Sequence, residues 1–524
     1  MPRSSLFARL RRTLLLALGA ERRGAPTAEH VEATAERHTI TRRQLMQRAA
    51  LGVGALAVAP RLLAACGDGA ATPKERSVAI VGAGMAGLLC AYRLRQAGVT
   101  ARIFDGNNRV GGRMFTARGR MAEGQLFELG GEFIDSEHST LRALAVELGL
   151  ALDDMNVIDD GLQKDLFYFG GEVKTEAVVV DAWRKVVARI AADAAEAETA
   201  AGVTRLDAIP LSDYLATLPD LEPFLRDLLD VAYATEYGLA IDQQSALNLL
   251  WLIGSDDADA FEVFGTSDER FHTHAGNDRF PTILADGLAA QIDLDHRLVA
   301  IAQASDGRWR LTFTVHSSTY EALFDHVVLA LPWTMLRQVV ITPAWPEPKG
   351  KMIRELGYGT NAKLMMQFRS RVWRKSGNSG GVYTDNGPQS LWDTSRGQDG
   401  ASGILTVFTG AAEGLATGDG TAEDRAMLYL PKMEAFFPGV SGAYRAGSAQ
   451  RMQWPAADLV LGSYACYKPG QAAWSGSEIE RVGNIHFCGE HTSADFQGYM
   501  EGAAETGERC AAEILADLGV LPPA

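Results

Sequence analysis

The sequence predicts an α/β protein: a Rossmann-like dinucleotide-binding domain assembled from separate segments, joined to an α+β domain with a helical insertion. Three observations predict it. Residues 77–105 read as strand, glycine turn, helix, second strand and acid; residues 486–518 repeat the strand-to-helix step near the other end; residues 181–274 between them are mainly helical in pattern.

The first unit opens with the apolar run 78–81, short enough for a buried strand. Gly82, Gly84 and Gly87 follow at GxGxxG spacing. Gly87, Cys90, Ala91 and Leu94 then share one helical face, and Gly98 closes the helix. Gly82 allows the tight turn, Gly84 lets backbone approach a diphosphate, and Gly87 lets helix and strand pack closely. The adjoining Met85 and Ala86 begin the helix, whose free N–H groups face the diphosphate. Residues 100–104 form a second strand delivering Asp105, 23 residues after Gly82, where a carboxylate can bind ribose hydroxyls. An acid at this place argues against a phosphorylated ribose. FAD and NAD both stay open on this stretch alone.

With 524 residues there is chain for two or three domains, and 47% hydrophobic with 22% charged residues suits a soluble globular protein. The cysteines Cys66, Cys90, Cys466, Cys488 and Cys510 show no CxxC spacing, and the ten histidines no HExxH spacing, so no metal site is expected. Residues 1–65 carry eleven Lys/Arg against four Asp/Glu, a net of +7 that leaves −22 for the rest. A body that acidic is not expected to bind nucleic acid.

The first 66 residues read as a targeting segment. Thr41-Arg42-Arg43-Gln44-Leu45-Met46 resembles a twin-arginine export signal and precedes the Ala/Gly-rich run 49–65. Leu63-Ala64-Ala65-Cys66 resembles a bacterial lipobox, which would lipidate Cys66 and tether an exported, extracytoplasmic protein. The alternative is an ordinary basic pair before an uncleaved helix. Residues 67–75 form a small-residue linker.

Further along, Arg109-Val110-Gly111-Gly112-Arg113 and Glu128-Leu129-Gly130-Gly131-Glu132 place two glycine pairs where backbone passes something bulky. Residues 140–150 form an amphipathic helix. Within 181–274, residues 181–201 read as one Ala-rich helix, Ser212 as the cap of another, and 220–237 as a third; no chemistry is evident in this insertion, which suits a substrate cover. Strand patterns at 297–303, 309–315 and 326–331 read as the return of the block 276–342 to the first sheet. Residues 363–368 and 405–409 are strands of the second domain. His486-Phe487-Cys488-Gly489-Glu490 ends a strand, and the helix 498–518 follows.

Taken together, these segments resemble the flavin amine oxidase family of monoamine, polyamine and L-amino-acid oxidases. The matching residues are Gly82-Ala83-Gly84-Met85-Ala86-Gly87, Arg109 to Arg113, Leu129-Gly130-Gly131, Ala330-Leu331-Pro332, Lys363 and Gly498-Tyr499-Met500-Glu501-Gly502-Ala503, in the family's order across 76–515. The resemblance implies FAD held by a composite domain of residues 76–135, 275–345 and 455–524. Residues 136–274 and 346–454 would then form the substrate domain. It implies FAD contacts from Gly82, Gly84, Met85, Ala86, Gly87, Asp105, Arg113, Gly130, Gly131, Glu132, Glu490 and Met500, with Leu298 offering backbone to the adenine.

The implied reaction takes a hydride from the carbon beside an amine nitrogen, leaves an imine for water to hydrolyse, and returns the electrons to dioxygen as hydrogen peroxide. Positioning and dryness carry such chemistry, without a strong protein base. By position Tyr464 and Tyr499 would form an aromatic pair before the flavin, with Tyr467 and Trp454 in reserve. Lys363 would hold a water beside the ring.

Two departures matter. Ser463 stands where animal monoamine oxidases carry the flavin-bonding cysteine, which implies non-covalent FAD. Glu132-Phe133-Ile134-Asp135 stands where many amino-acid oxidases carry a carboxylate-binding arginine, which favours small amines over amino acids. An L-amino-acid oxidase is the alternative; a desaturase-like flavoenzyme, a non-catalytic FAD scaffold and an NAD-dependent dehydrogenase fit less of the pattern. The oligomeric state is not legible.

Overall fold

The computed structural model describes residues 76–520. The export signal, Cys66 and the linker lie outside the described residues.

Five parallel strands make the central sheet, in the order Ile485–Phe487, His326–Leu329, Val78–Val81, Ala101–Phe104, Ile292–Asp293. An all-parallel sheet is covered on both faces, so its strands are short apolar runs. In Val78–Val81 the period-two alternation divides the two cores. Val78 and Ile80 face the helices Met85–Gln96, Arg279–Leu288 and Met500–Leu518, whereas Ala79 and Val81 face a second sheet.

That second sheet runs Ser318–Phe324, Trp309–Val315, His296–Gln303, Val340–Thr342. It corrects the reading of 276–342 as a return to the first sheet, which only Ile292–Asp293 and His326–Leu329 make. Along Trp309–Val315 the residues Trp309, Leu311 and Phe313 are buried while Arg310 and Thr314 are exposed. A strand with one wet face cannot sit inside a sheet covered on both sides.

A seven-stranded sheet occupies the other half: Gln450–Gln453, Ala362–Phe368, Gly403–Thr409, Gln389–Asp393, Asn378–Thr384, Gln163–Phe169, Glu172–Lys174. The helical insertion covers it, with Pro223–Tyr237 against the strands. The single helix expected over 181–201 is broken. Glu176–Trp183 and Val187–Glu196 are separate, and Thr199 caps Ala200–Asp207 by accepting from the Gly202 N–H at 3.0 Å. Ser212 is not a cap either, since Leu211–Ala216 begins one residue earlier, after Pro210. No helix among the described residues is long and apolar enough to cross a membrane.

Candidate active site

At the carboxyl ends of the parallel strands, where the chain leaves the sheet at Gly82, Ala330 and Gly489, lies a cavity of about 420 Å³. Its wall includes every expected site residue but one. The exception is Gly87: a Cβ there would meet the Gly82 carbonyl oxygen at 2.0 Å, so this glycine serves helix–turn packing and does not reach the cavity.

The end of the cavity at Gly82 and Gly84 is built from backbone. Gly82 has φ +112° and sits where a Cβ would strike Ala330 O at 2.6 Å. A Cβ on Gly84 would meet nothing within 4 Å and would project into the cavity. Behind Gly84 the helix Met85–Gln96 starts without a side-chain cap, as does Met500–Leu518 after Tyr499. Two uncapped helix starts on one cavity present free N–H groups to an anion. Asp105 is turned by accepting from Ala83 N at 2.7 Å and Asn107 N at 2.8 Å, and burial raises its carboxyl. After Leu298, which pairs with Phe313, the ladder slips by one residue, so Val299 is left without a cross-strand partner and both residues line the wall.

In the middle, Arg113 donates to Ser463 O at 2.6 Å and to Glu490 at 2.9 Å; Glu490 also accepts from Gly498 N at 2.9 Å. Glu490 thus ties three segments together. Gly130 and Gly131 pass where a Cβ would meet Arg113 O and the Met500 side chain, at 1.7 and 2.7 Å. These cradles and anion-facing helix starts fit an elongated dinucleotide lying from Leu298 to Met500.

Lys363 comes from the fully buried strand Ala362–Phe368 and is 5% exposed. Its ammonium donates to Gly130 O at 2.7 Å and Glu132 at 2.8 Å, with Glu128 O a weak third at 3.4 Å. Glu132 in turn accepts from Trp392 Nε1 at 2.8 Å and from Thr394 Oγ1. Burial would raise the Glu132 carboxyl, but the Lys363 charge and these donors hold it below its ordinary value.

The far end holds the two tyrosines. Tyr464 donates to Thr235 O at 3.2 Å and Tyr499 to Glu236 at 2.9 Å. Adjacent residues of the helix Pro223–Tyr237 therefore pin both rings. Of the reserves, Trp454 lines the cavity, whereas Tyr467 is buried away from it against Glu478. Three carboxylates stand beside the pair. Glu236 and Glu269 are enclosed by protein yet reached by solvent through the cavity, and each is pushed up to about 7, chiefly by burial. Glu269 and Asp135 add repulsion at Glu236, and Asp135 and Asp165 at Glu269 against the opposing charges of Lys164 and Arg396. Asp135 is raised to about 6, chiefly by burial. It accepts from Glu269 N at 2.9 Å, and Glu269 sits at φ +50°.

Sequence reasoning missed Glu236 and Glu269. The insertion taken to carry no chemistry supplies both, with Tyr237. The usable signal was Thr235-Glu236-Tyr237, a charged residue at the end of an otherwise apolar helix face.

Residues 85–515 match the family model described as flavin containing amine oxidoreductase. The chain is 27% identical over 459 residues to (S)-6-hydroxynicotine oxidase of Paenarthrobacter nicotinovorans, covering 83% of this chain and 98% of that protein. It is 24% identical over 469 residues to flavin-containing amine oxidase B of Sus scrofa, covering 85% and 87%. Cyclohexylamine oxidase from Brevibacterium oxydans IH-35A shares the fold, with a TM-score of 0.73 at 21% identity over 85% of this chain and all of that one.

Proposed function

The chain belongs to the flavin-containing amine oxidoreductases, and from that premise we propose that it takes small cationic amines between Tyr464 and Tyr499. It is an FAD-dependent oxidoreductase acting on CH–NH groups. When bound, FAD supplies the hydride acceptor, and dioxygen is the proposed final oxidant. In this reading Gly82, Gly84, Met85, Ala86, Asp105 and Leu298 hold the nucleotide half. Arg113, Gly130, Gly131, Glu132, Glu490 and Met500 frame the ring end. Residues 76–135, 275–345 and 455–524 make up the cofactor domain, and 136–274 with 346–454 the substrate domain.

The observation that carries the substrate class is the trio Asp135, Glu236 and Glu269 at the tyrosine end. The basic residues lining the cavity, among the described residues, are Arg109, Arg113 and Arg297 toward the nucleotide and middle, and Lys363, which Glu132 neutralises. An ammonium is welcomed there; an amino acid's carboxylate would face three acids, since Arg396, which acts on Glu269, does not line the cavity.

Glu236 does more than attract. One of its oxygens accepts the Tyr499 hydroxyl, leaving the other to take the proton of an incoming ammonium, so that a neutral amine meets the hydride acceptor. A group poised at about 7 suits that exchange. The rings, fixed by Thr235 and Glu236, restrict the amine's approach, and the insertion covers the site from water. Lys363 keeps its weakly used third hydrogen for a water.

Anaerobic bleaching of the flavin by tyramine, putrescine and spermidine, set against several L-amino acids, tests the reading. Amines should bleach it; faster bleaching by amino acids would overturn the substrate class. Non-covalent FAD is supported by Ser463, whose hydroxyl donates to Asn361 at 2.5 Å, and by the lack of any cysteine on the cavity wall among the described residues. Denaturation followed by filtration should leave the chain colourless. Residues 1–66 are proposed to direct twin-arginine export, with lipid attachment at Cys66; replacing Arg42 and Arg43 by lysine should strand the protein in the cytoplasm.

A further inference from the structure

At the opposite end of the parallel sheet from the cavity, two histidines on neighbouring strands meet an aspartate from the last helix. His326 opens the strand His326–Leu329, His486 is central in Ile485–Phe487, and Asp517 lies in the final turn of Met500–Leu518. One ligand atom from each falls within 4.8 Å of the others. The histidines are 1% and 0% exposed. Both ring nitrogens of His326, and Nε2 of His486, lack a hydrogen-bond partner among the described residues. Buried imidazole nitrogens are rarely left so, and unpaired ones call for an unseen water or ion.

Carboxylates stand beside the rings, with Arg76 and Arg481 also close to the cluster. His486 Nδ1 lies 2.8 Å from Glu513 Oε2, which places the ring proton on Nδ1 and leaves the Nε2 lone pair facing Asp517. A carboxylate behind a histidine in this way is the usual support of a metal-bound imidazole. His486 Nε2 and His326 Nδ1 stand 3.6 and 3.9 Å from Asp517 Oδ2, too long for hydrogen bonds. Ligand atoms placed about 2.0–2.1 Å from a tetrahedral ion lie roughly 3.3 Å apart, so the aspartate stands close to its place while the two histidines, whose ligand atoms lie within 4.8 Å of each other, must draw together as the ion enters. Asp517 Oδ2 also accepts from Arg481 Nη1 at 2.5 Å, which fixes the carboxylate and leaves the remaining lone pair of Oδ2, or Oδ1, to an ion; the side chain is 22% exposed, which leaves a fourth position to water.

We propose that His326, His486 and Asp517 bind a zinc ion that fastens the C-terminal helix to the two strands. Two imidazoles, a carboxylate and water suit Zn²⁺ among divalent ions. The site is remote from the amine and stands independently of the substrate reading.

The test uses untagged, flavin-loaded protein stripped with chelator and titrated with Zn²⁺. One ion per chain should bind at micromolar concentration or below and raise the Tm by several degrees. His326→Gln and His486→Gln should keep the flavin spectrum and lose at least tenfold in zinc affinity. Co²⁺ offered to the parent protein should give visible ligand-field bands to the red of the flavin, erased by Zn²⁺; this arm holds even where a variant fails to fold. Absence of one-to-one binding, Co²⁺ without these bands, or undiminished affinity in both folded variants would overturn the proposal.

Discussion

Two buried carboxylates on one cavity wall behave in opposite ways. Glu132 is held below its ordinary value by Lys363 at 2.8 Å and by Trp392 and Thr394. Glu236, a short way along the wall, is raised to about 7 by burial and by Glu269 and Asp135, with only the Tyr499 hydroxyl to support its charge. The difference shows how one cavity keeps a permanent charge in one place and a movable proton in another. A paired acid is scaffolding; an unpaired one is a working group.

Breaking the first member should have the largest effect. Lys363→Met leaves Glu132 buried without its partner, and the loss of one member of a buried pair costs about 3–5 kcal/mol. Denaturant unfolding should register this, and Glu132→Gln on the same background should recover part of it. Stopped-flow should also find air reoxidation slowed far more than anaerobic bleaching; equal reoxidation rates would remove the oxygen role of Lys363.

Next comes Glu236→Gln, expected to lower kcat by about a hundredfold or more at neutral pH. In the parent, kcat should fall as pH drops through about 7, because the carboxylate form is the proton acceptor. The variant should lack that acid limb, and a limb that persists would reassign the group.

The same residue shapes stability. The folded carboxyl keeps its proton to about pH 7, whereas the unfolded one releases it near its ordinary 4.5. The folded state thus binds the extra proton between these values, and stability falls as pH rises through that window. The Tm of flavin-free protein should decline from pH 5 to 7.5, less steeply in Glu236→Gln.

The smallest effect is expected for Tyr464→Phe, which removes one 3.2 Å bond to Thr235 O and keeps the ring. About 0.5–1.5 kcal/mol of stability and a few-fold in kcat/KM is the expected loss. Tyr499→Phe should cost more, since it takes the hydroxyl from Glu236 and moves the pH profile toward higher pH.

The nucleotide end was legible because its requirements are local. Gly82, Gly84 and Asp105 stand at the spacings expected for a tight turn, a phosphate and a ribose, although Ala330, far along the chain, also limits the space at Gly82. Gly87 shows the limit, since spacing marks it correctly for close packing and cannot tell that packing keeps it off the cavity. Lys363 was placed on the cavity wall by position, but its bond to Glu132 was not legible, because a strand and a loop from separate parts of the chain make it. Glu236 and Glu269 were invisible for the same reason, as were His326 and His486, whose separation in sequence has no metal-ligand spacing.

The helices Met85–Gln96 and Met500–Leu518 touch so closely that a Cβ on Gly507 would meet the Ala86 carbonyl oxygen at 2.4 Å. Some four hundred residues separate these two glycine-lined surfaces in the order of synthesis. A growing polypeptide therefore owns only half of its cofactor cleft until the helix Met500–Leu518 has left the ribosome, and flavin retention becomes a report on that helix having docked.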